Sequence, residues 1–235
     1  MKQPLIFALL SAISLLGIKL QAQVDSLHVE AKTEIREVIT DSIGKHAAAG
    51  NLFIGVDLFS PVMSAFTNKK GGQAMLSYRV YKKWNVVFEA GYEQNNFDQI
   101  DWNVDVDGVY FKIGFNWFAS QDSKNPSNGF YLGARFAYTI YNQEIKQYPI
   151  RFSNHQVSEY GSLPKAAVSA YWMELLGGAK VHLWQGFYAD VSVRPEIYLG
   201  SKKQENIDPL VIPGYGRDQG VINFSVFWGI TYKLF

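Results

Sequence analysis

The side chains best suited to do chemistry in this chain are few. Ser153, His155, Ser158 and Glu159 stand close together in one polar stretch, and hydroxyl, imidazole and carboxylate are the parts of a nucleophilic triad. A triad works because its members converge on a site with oxyanion donors, and adjacency in sequence does not provide that. A polar loop holds such residues by composition alone, so none is expected to be catalytic. Asp101, Asp105 and Asp107 resemble a calcium loop, but the Gly and the twelfth-position Glu of that motif are missing. The chain has 4 His and no Cys, which excludes disulfides, thiolate metal sites and a cysteine nucleophile. His28, His46, His155 and His182 are too scattered for ligand spacing. No metal, no cofactor and no enzymatic activity are expected.

What the sequence does offer is charge in a regular pattern. Its 235 residues make one ordinary domain or two small ones. With 22 Lys plus Arg against 21 Asp plus Glu, nothing points to nucleic acid as a partner. The 6 Trp, 14 Tyr and 16 Phe are a heavy aromatic load that excludes disorder.

Three regions can be separated. Met1-Lys2 and the apolar run from Leu5 to Leu20, ending at Leu20-Gln21-Ala22, have the layout of a secretory signal peptide over residues 1–22. Lys19 leaves too short an uncharged run to span a bilayer as a helix. Residues 23–50 lack aromatics and space Val24, Leu27, Ala31, Ile35 and Val38 roughly helically, as in a periplasmic tail or short helix. Residues 51–235 form the third region, and there the period becomes two.

Eight segments follow in which one parity is apolar throughout, from Leu52, Ile54, Val56 and Leu58 in the first to Ile222, Phe224, Val226, Trp228, Ile230, Tyr232 and Leu234 in the last. Of these 45 positions none is charged, Asn or Gln. The other parity carries Asp57, Arg79, Glu89, Glu93, Lys112, Arg135, Glu174, Lys180, Asp190, Arg194, Glu196 and Lys233, six acids and six bases, interleaved with Gly55, Gly91, Gly114, Gly133, Gly178 and Gly229. Strict alternation predicts antiparallel strands with one face apolar.

A membrane barrel turns that face to lipid; a soluble barrel turns it to an interior cavity. Three features favour lipid. The polar face is rich in glycine and sparing in charge. Trp84, Tyr92, Trp117, Tyr138, Tyr171 and Tyr232 sit near the ends of the apolar faces, where an interfacial girdle belongs. Tight connections such as Lys82-Lys83 and Trp184-Gln185-Gly186 alternate with long ones, the longest spanning residues 142–168. The fold class expected is all-β: an eight-stranded antiparallel up-and-down transmembrane β-barrel.

Gly55–Val62, Gly108–Gly114, Tyr171–Val181 and Ile207–Tyr215 also resemble the small, uncharacterised outer-membrane barrel proteins of the Bacteroidota, classed as a domain of unknown function. The Trp172-Met173-Glu174 strand and the Pro209–Tyr215 loop are the more specific pieces. The resemblance implies a barrel and an outer-membrane location; it assigns no activity, so no functional residue carries over. One departure is that Phe235 shares the parity of Lys233, not the outward parity of Leu234.

An eight-stranded lumen is just wide enough to be filled by side chains, and charges packed there must pair. The network expected comprises Asp57, Arg79, Glu89, Lys112, Arg135, Glu174, Lys180, Asp190, Arg194 and Glu196. Neighbouring strands offer Arg79 to Glu89, and Glu174 and Lys180 to Asp190, Arg194 and Glu196. The role expected is a monomeric, non-enzymatic barrel surrounded by outer-membrane lipid. Its long loops would contact an extracellular glycan or protein, or simply pack over the barrel mouth, with Tyr148, Phe152, Tyr160, Leu210 and Tyr215 as the residues concerned. The alternatives are a soluble periplasmic lipid-binding barrel and, more remotely, a lipid-modifying enzyme at the rim.

Overall fold

Each alternating segment becomes a strand. The computed structural model describes residues 50–151, 157–205, 207–217 and 221–235. The expected signal peptide (1–22), the tail up to residue 49, Phe152, Ser153 and His155 lie outside these residues. The elements are β1 (Leu52–Asp57), α1 (Phe59–Ser64), β2 (Lys69–Tyr81), β3 (Trp84–Gln99), β4 (Trp102–Phe118), β5 (Gly129–Arg151), β6 (Val157–Trp184), β7 (Phe187–Ser201), β8 (Val211–Ile212), β9 (Gly216–Arg217) and β10 (Ile222–Lys233). Eight of the strands close a barrel in the order β1-β10-β7-β6-β5-β4-β3-β2, and β8 and β9 pair separately. Closure places Val56 opposite Ile230 and Phe53 opposite Lys233, antiparallel. This is the eight-stranded up-and-down barrel that the alternation predicts.

The tight connections are hairpins of the kind that matches strand twist. Gln185 and Gly186 both have positive φ, +40° and +86°, as a two-residue type I′ turn requires. Beyond β10, the Leu52 amide donates to the Phe235 carbonyl and the Leu234 amide to the Leu52 carbonyl. Leu234 and Phe235 thus both bond to Leu52, two residues against one as in a β-bulge, and the Phe235 ring is exposed, so the bulge accounts for its parity.

The apolar face points out of the barrel and the charged face in. Leu76, Phe88, Ile113, Phe136, Leu175 and Val191 are exposed, whereas Glu89, Lys112, Arg135 and Glu174 are buried. The soluble alternative needed the apolar face to line an interior cavity. It fails on this geometry, because the interior is filled by charge. At the hairpin end the outward row is aromatic: Trp84 faces Trp117, Trp184 faces Phe187, and Phe187 faces Tyr232.

At the opposite end the pattern inverts along a level line. Tyr92, Val109 and Ile140 stand abreast on β3, β4 and β5, all outward and apolar. One rung on, Gln94, Asp107 and Asn142 stand abreast on the same outward face; the next rung is Asn96, Asp105 and Glu144. The inward face changes in the opposite sense. Below the line it carries Glu89, Lys112 and Arg135; above it Val104, Val106, Tyr141 and Ile145 are buried.

This inversion explains where the loops expected from sequence prove to be strand. β3 and β4 continue to a turn at Ile100-Asp101, with Asp101 at φ +72°, and β5 and β6 run to Arg151 and from Val157 through most of the 142–168 stretch. Alternation persists there with the faces exchanged, so a search for one outward apolar parity stops short.

Candidate functional site

The interior concentrates the buried charged side chains of the described residues, and it has three storeys. Nearest the hairpins, the connection between β4 and β5 folds under the barrel. Arg79 Nη2 donates to the Pro126 carbonyl at 2.9 Å and to Ser127 Oγ at 3.3 Å, and its guanidinium lies 5.8 Å from the Phe118 ring centroid. The pairing of Arg79 with Glu89 expected from adjacent strands is not formed: the side chain turns towards the hairpin end and meets the Pro126 carbonyl and the Ser127 hydroxyl instead. Lys180 Nζ lies 3.2 Å from Asp190 and 4.5 Å from the Phe53 ring centroid. The Tyr131 hydroxyl donates to Asp190 Oδ1 at 2.5 Å.

The middle storey is a compact network of charged groups. Glu89 accepts from Arg135 Nε at 3.2 Å, from Arg194 Nη1 at 2.7 Å and from Gln73 Nε2 at 2.6 Å. Arg135 spends its remaining donors on the Phe115 and Ala134 carbonyls and on Asn116 Oδ1. Glu174 takes Lys112 at 2.5 Å, Arg194 at 3.5 Å and the Trp172 indole N–H at 2.9 Å. Glu196 accepts from Ser225 Oγ at 2.5 Å. Asp57 serves a local purpose, accepting from the Phe59 and Ser60 amides at the start of α1.

The top storey is apolar. The segment carrying β8 and β9 dips into the mouth, where Val211, Ile212 and Tyr215 are buried against Val104, Val106, Tyr110, Tyr141 and Trp172. The Tyr215 ring lies 5.7 Å from Trp172 and 5.9 Å from Tyr198. Gly214 pins this plug to the network: its amide donates to Glu93 Oε2 at 3.0 Å and its carbonyl accepts from Lys112 Nζ at 3.3 Å. Gly214 has φ +82°, and a Cβ there would come within 2.5 Å of the Tyr110 ring, so both backbone and space require glycine. Between plug and network remains a polar vestibule of about 310 Å³, bordered by Asp57, Lys69, Glu93, Tyr110, Lys112 and Arg194.

The loop residues singled out from sequence have different fates. Tyr215 is buried and Leu210 is partly buried against the same cluster, so both pack over the barrel's own mouth. Tyr148 also packs against the plug cluster, tilted on Trp102 at 6.2 Å. Tyr160 remains outside, donating to Asp101 Oδ1 at 2.8 Å. Above the level line, Lys165 Nζ meets Asp107 at 2.7 Å and Lys146 Nζ meets Asp105 at 2.5 Å. Partial burial works to raise the Asp107 pKa, but hydrogen bonds from Lys165 and Asn142 outweigh it and hold the carboxyl below its ordinary value.

Every cation of the middle storey is engaged by a carboxylate. His182 is exposed and lies edge-on to Tyr188 at 5.0 Å between centroids. Among the described residues no group of His and carboxylates could hold a metal ion. Packing of the 207–217 loop over the barrel mouth is one of the two readings the sequence offers; the inward parity of Val104, Val106, Tyr141 and Ile145 is the signal that the loop enters the interior.

Residues 4–234 match the family described as Domain of unknown function (DUF6048). The chain belongs to this family. No curated protein matches the DUF6048 chain. Among solved structures, it is similar to the crystal structure of Ail, the attachment invasion locus protein of Yersinia pestis, at 9% identity and a TM-score of 0.39, over 79% of this chain and 99% of that one.

Proposed function

We propose that this DUF6048 protein is a non-enzymatic, monomeric outer-membrane barrel. In this reading the N-terminal segment exports it and the lumen is sealed by ion pairs and a plug. The strands that rise beyond the bilayer present a polar surface to an extracellular glycan or protein. The observation that carries the reading is the level line at which outward residues change from apolar to polar while inward residues change the other way. A soluble barrel has no reason to switch solvent at one height on neighbouring strands. A bilayer surface imposes such a switch. From Val109 to Trp117 the outward belt of β4 rises roughly 20 Å, at the usual strand rise and tilt. That is comparable with the apolar band of about 25 Å on outer-membrane barrels. The resemblance to Bacteroidota barrels supports the same compartment.

Single cysteines test this reading without background, since the chain has none. Val191 is 42% exposed and its neighbour Ser192 is 1% exposed. In reconstituted protein, a spin label at 191 should collide freely with oxygen and scarcely with a water-soluble nickel complex. A label at 192 should be immobile and meet neither. Strong nickel accessibility at 191 would overturn the membrane assignment.

A further inference from the structure

Just below the level line, the lipid-facing belt is not smooth. On β3 and β4 the neighbouring outward positions are filled by Phe88, Tyr92, Val109 and Phe111, but Gly72, Ala74 and Ala90 stand together, with Gly72 opposite Tyr92 and Ala74 opposite Ala90. Small side chains alone would only thin the belt. Here Leu58 and Pro61 border them on one side and Tyr92 and Phe111 on the other, leaving a shallow, open apolar groove. Nothing in the fold demands the glycine. A Cβ on Gly72 would have no atom within 4 Å, and its backbone is not in the left-handed region.

Directly above the groove, on the same face of β2, β3 and β4, lies a polar cleft of about 500 Å³. Its first rung is Lys70, Gln94 and Asp107, each two residues along its own strand from Gly72, Tyr92 and Val109. The carboxylates nearest the groove are already matched, Asp107 by Lys165 and Asp105 by Lys146. Glu144 lies one rung farther out. The Lys70 ammonium has no carboxylate partner among the described residues, and the Asn68, Gln94 and Asn95 side chains beside it can donate hydrogen bonds. An unpaired cation among amide donors, set one rung above an apolar groove, complements a phosphate joined to an acyl chain.

We propose that this two-storey pocket binds one phosphate-bearing membrane lipid, its acyl chain along Gly72, Ala74 and Ala90 and its phosphate on Lys70. The proposal rests on the membrane reading above, and the test separates the two. Flotation of the folded protein with phosphatidylglycerol–phosphatidylcholine vesicles reports membrane residence. Native mass spectrometry of detergent-solubilised protein, titrated with dioleoylphosphatidylglycerol or with phosphate-free dioleoylglycerol, reports the pocket. The wild type should retain one phosphatidylglycerol about fivefold better than diacylglycerol, the share expected of one lysine at a lipid phosphate. Lys70→Gln should erase that preference while leaving diacylglycerol retention unchanged. Gly72→Leu should lower retention of both lipids, with the far-ultraviolet spectrum and flotation intact. Equal retention of both lipids by the wild type, or undiminished retention by Gly72→Leu, would overturn the pocket. Failure to float would overturn the membrane reading instead.

Discussion

Glu89 shows how the interior distributes its charges. It sits on β3, yet one of its two guanidinium partners, Arg194, comes from β7 on the far side of the lumen. Removing it leaves Arg135 and Arg194 short of a counter-charge in a buried position, which costs about 3–5 kcal/mol for a buried pair. Glu89→Ala and Glu174→Ala should therefore lower the urea midpoint of unfolding in detergent markedly, while Glu89→Gln, which keeps the acceptor oxygen, should lower it less. Arg79→Met should be milder than Arg135→Met, since Arg79 leaves behind only the Pro126 carbonyl and Ser127 hydroxyl. Equal losses for the two arginines would mean that ion pairing adds nothing here. The burial of these residues was readable from parity, but their partners were not. Cross-lumen contacts depend on strand tilt and stagger, which alternation does not encode. Outside the membrane, the depressed Asp107 pKa makes a separate forecast. Its contribution to stability is present above the ordinary Asp pKa of about 3.9 and is lost as pH falls through the lower folded value. Lys165→Met should return the Asp107 carboxyl titration, followed by carbon-13 shift, towards the ordinary value and should lower stability slightly at neutral pH, a difference that vanishes in acid below the folded Asp107 pKa.

At the scale of elements, β4, β5 and β6 each serve two solvents. Their lower halves follow the membrane pattern and were visible as such: Val109, Phe111 and Ile113 out, Lys112 in. Their upper halves follow the pattern of a water-soluble sheet, with Val104 and Val106 in and Asp105 and Asp107 out. Because Gly108 and Val109 straddle the switch without a turn, the strand continues where the apolar outward parity ends. The plug was harder to foresee. A short segment such as Val211-Ile212 has no periodicity of its own, and its burial follows from the apolar inner wall that awaits it. Gly214 is the hinge of that docking. Gly214→Val would force a β-branched side chain into left-handed backbone and against Tyr110, a strain of about 1–3 kcal/mol that the docked loop must carry. The expected result is release of residues 207–217, seen as rapid protease cleavage there, with the barrel below still resistant. Unchanged cleavage would show that the Glu93 and Lys112 contacts to Gly214 do not hold the plug.

For the whole molecule, three barriers stand in series along one axis: the apolar plug, the Glu89–Arg135–Arg194–Glu174 network and, at the hairpin end, the β4–β5 connection held by Arg79. An eight-stranded barrel has little lumen to spare, and any one of them suffices to block it. The plug contributes dry packing, whereas the network fills the cross-section with paired guanidiniums whose donors are largely occupied. Wild-type protein in planar bilayers should therefore show no stable conductance. Replacing residues 207–217 by a short Gly-Ser linker should also leave it closed, because the network lies beneath and does not depend on the plug beyond Lys112 and Glu93. Truncating Glu89, Arg135 and Arg194 to Ala together, with the plug intact, should likewise stay closed if the barrel survives in detergent. The combination should conduct only once the β4–β5 connection beneath Arg79 is shortened as well, which opens the lumen from both ends. Conductance after loss of the plug alone would show that water penetrates the ion pairs. The network would then line a gated pore, and the vestibule beneath Gly214 would be its entrance.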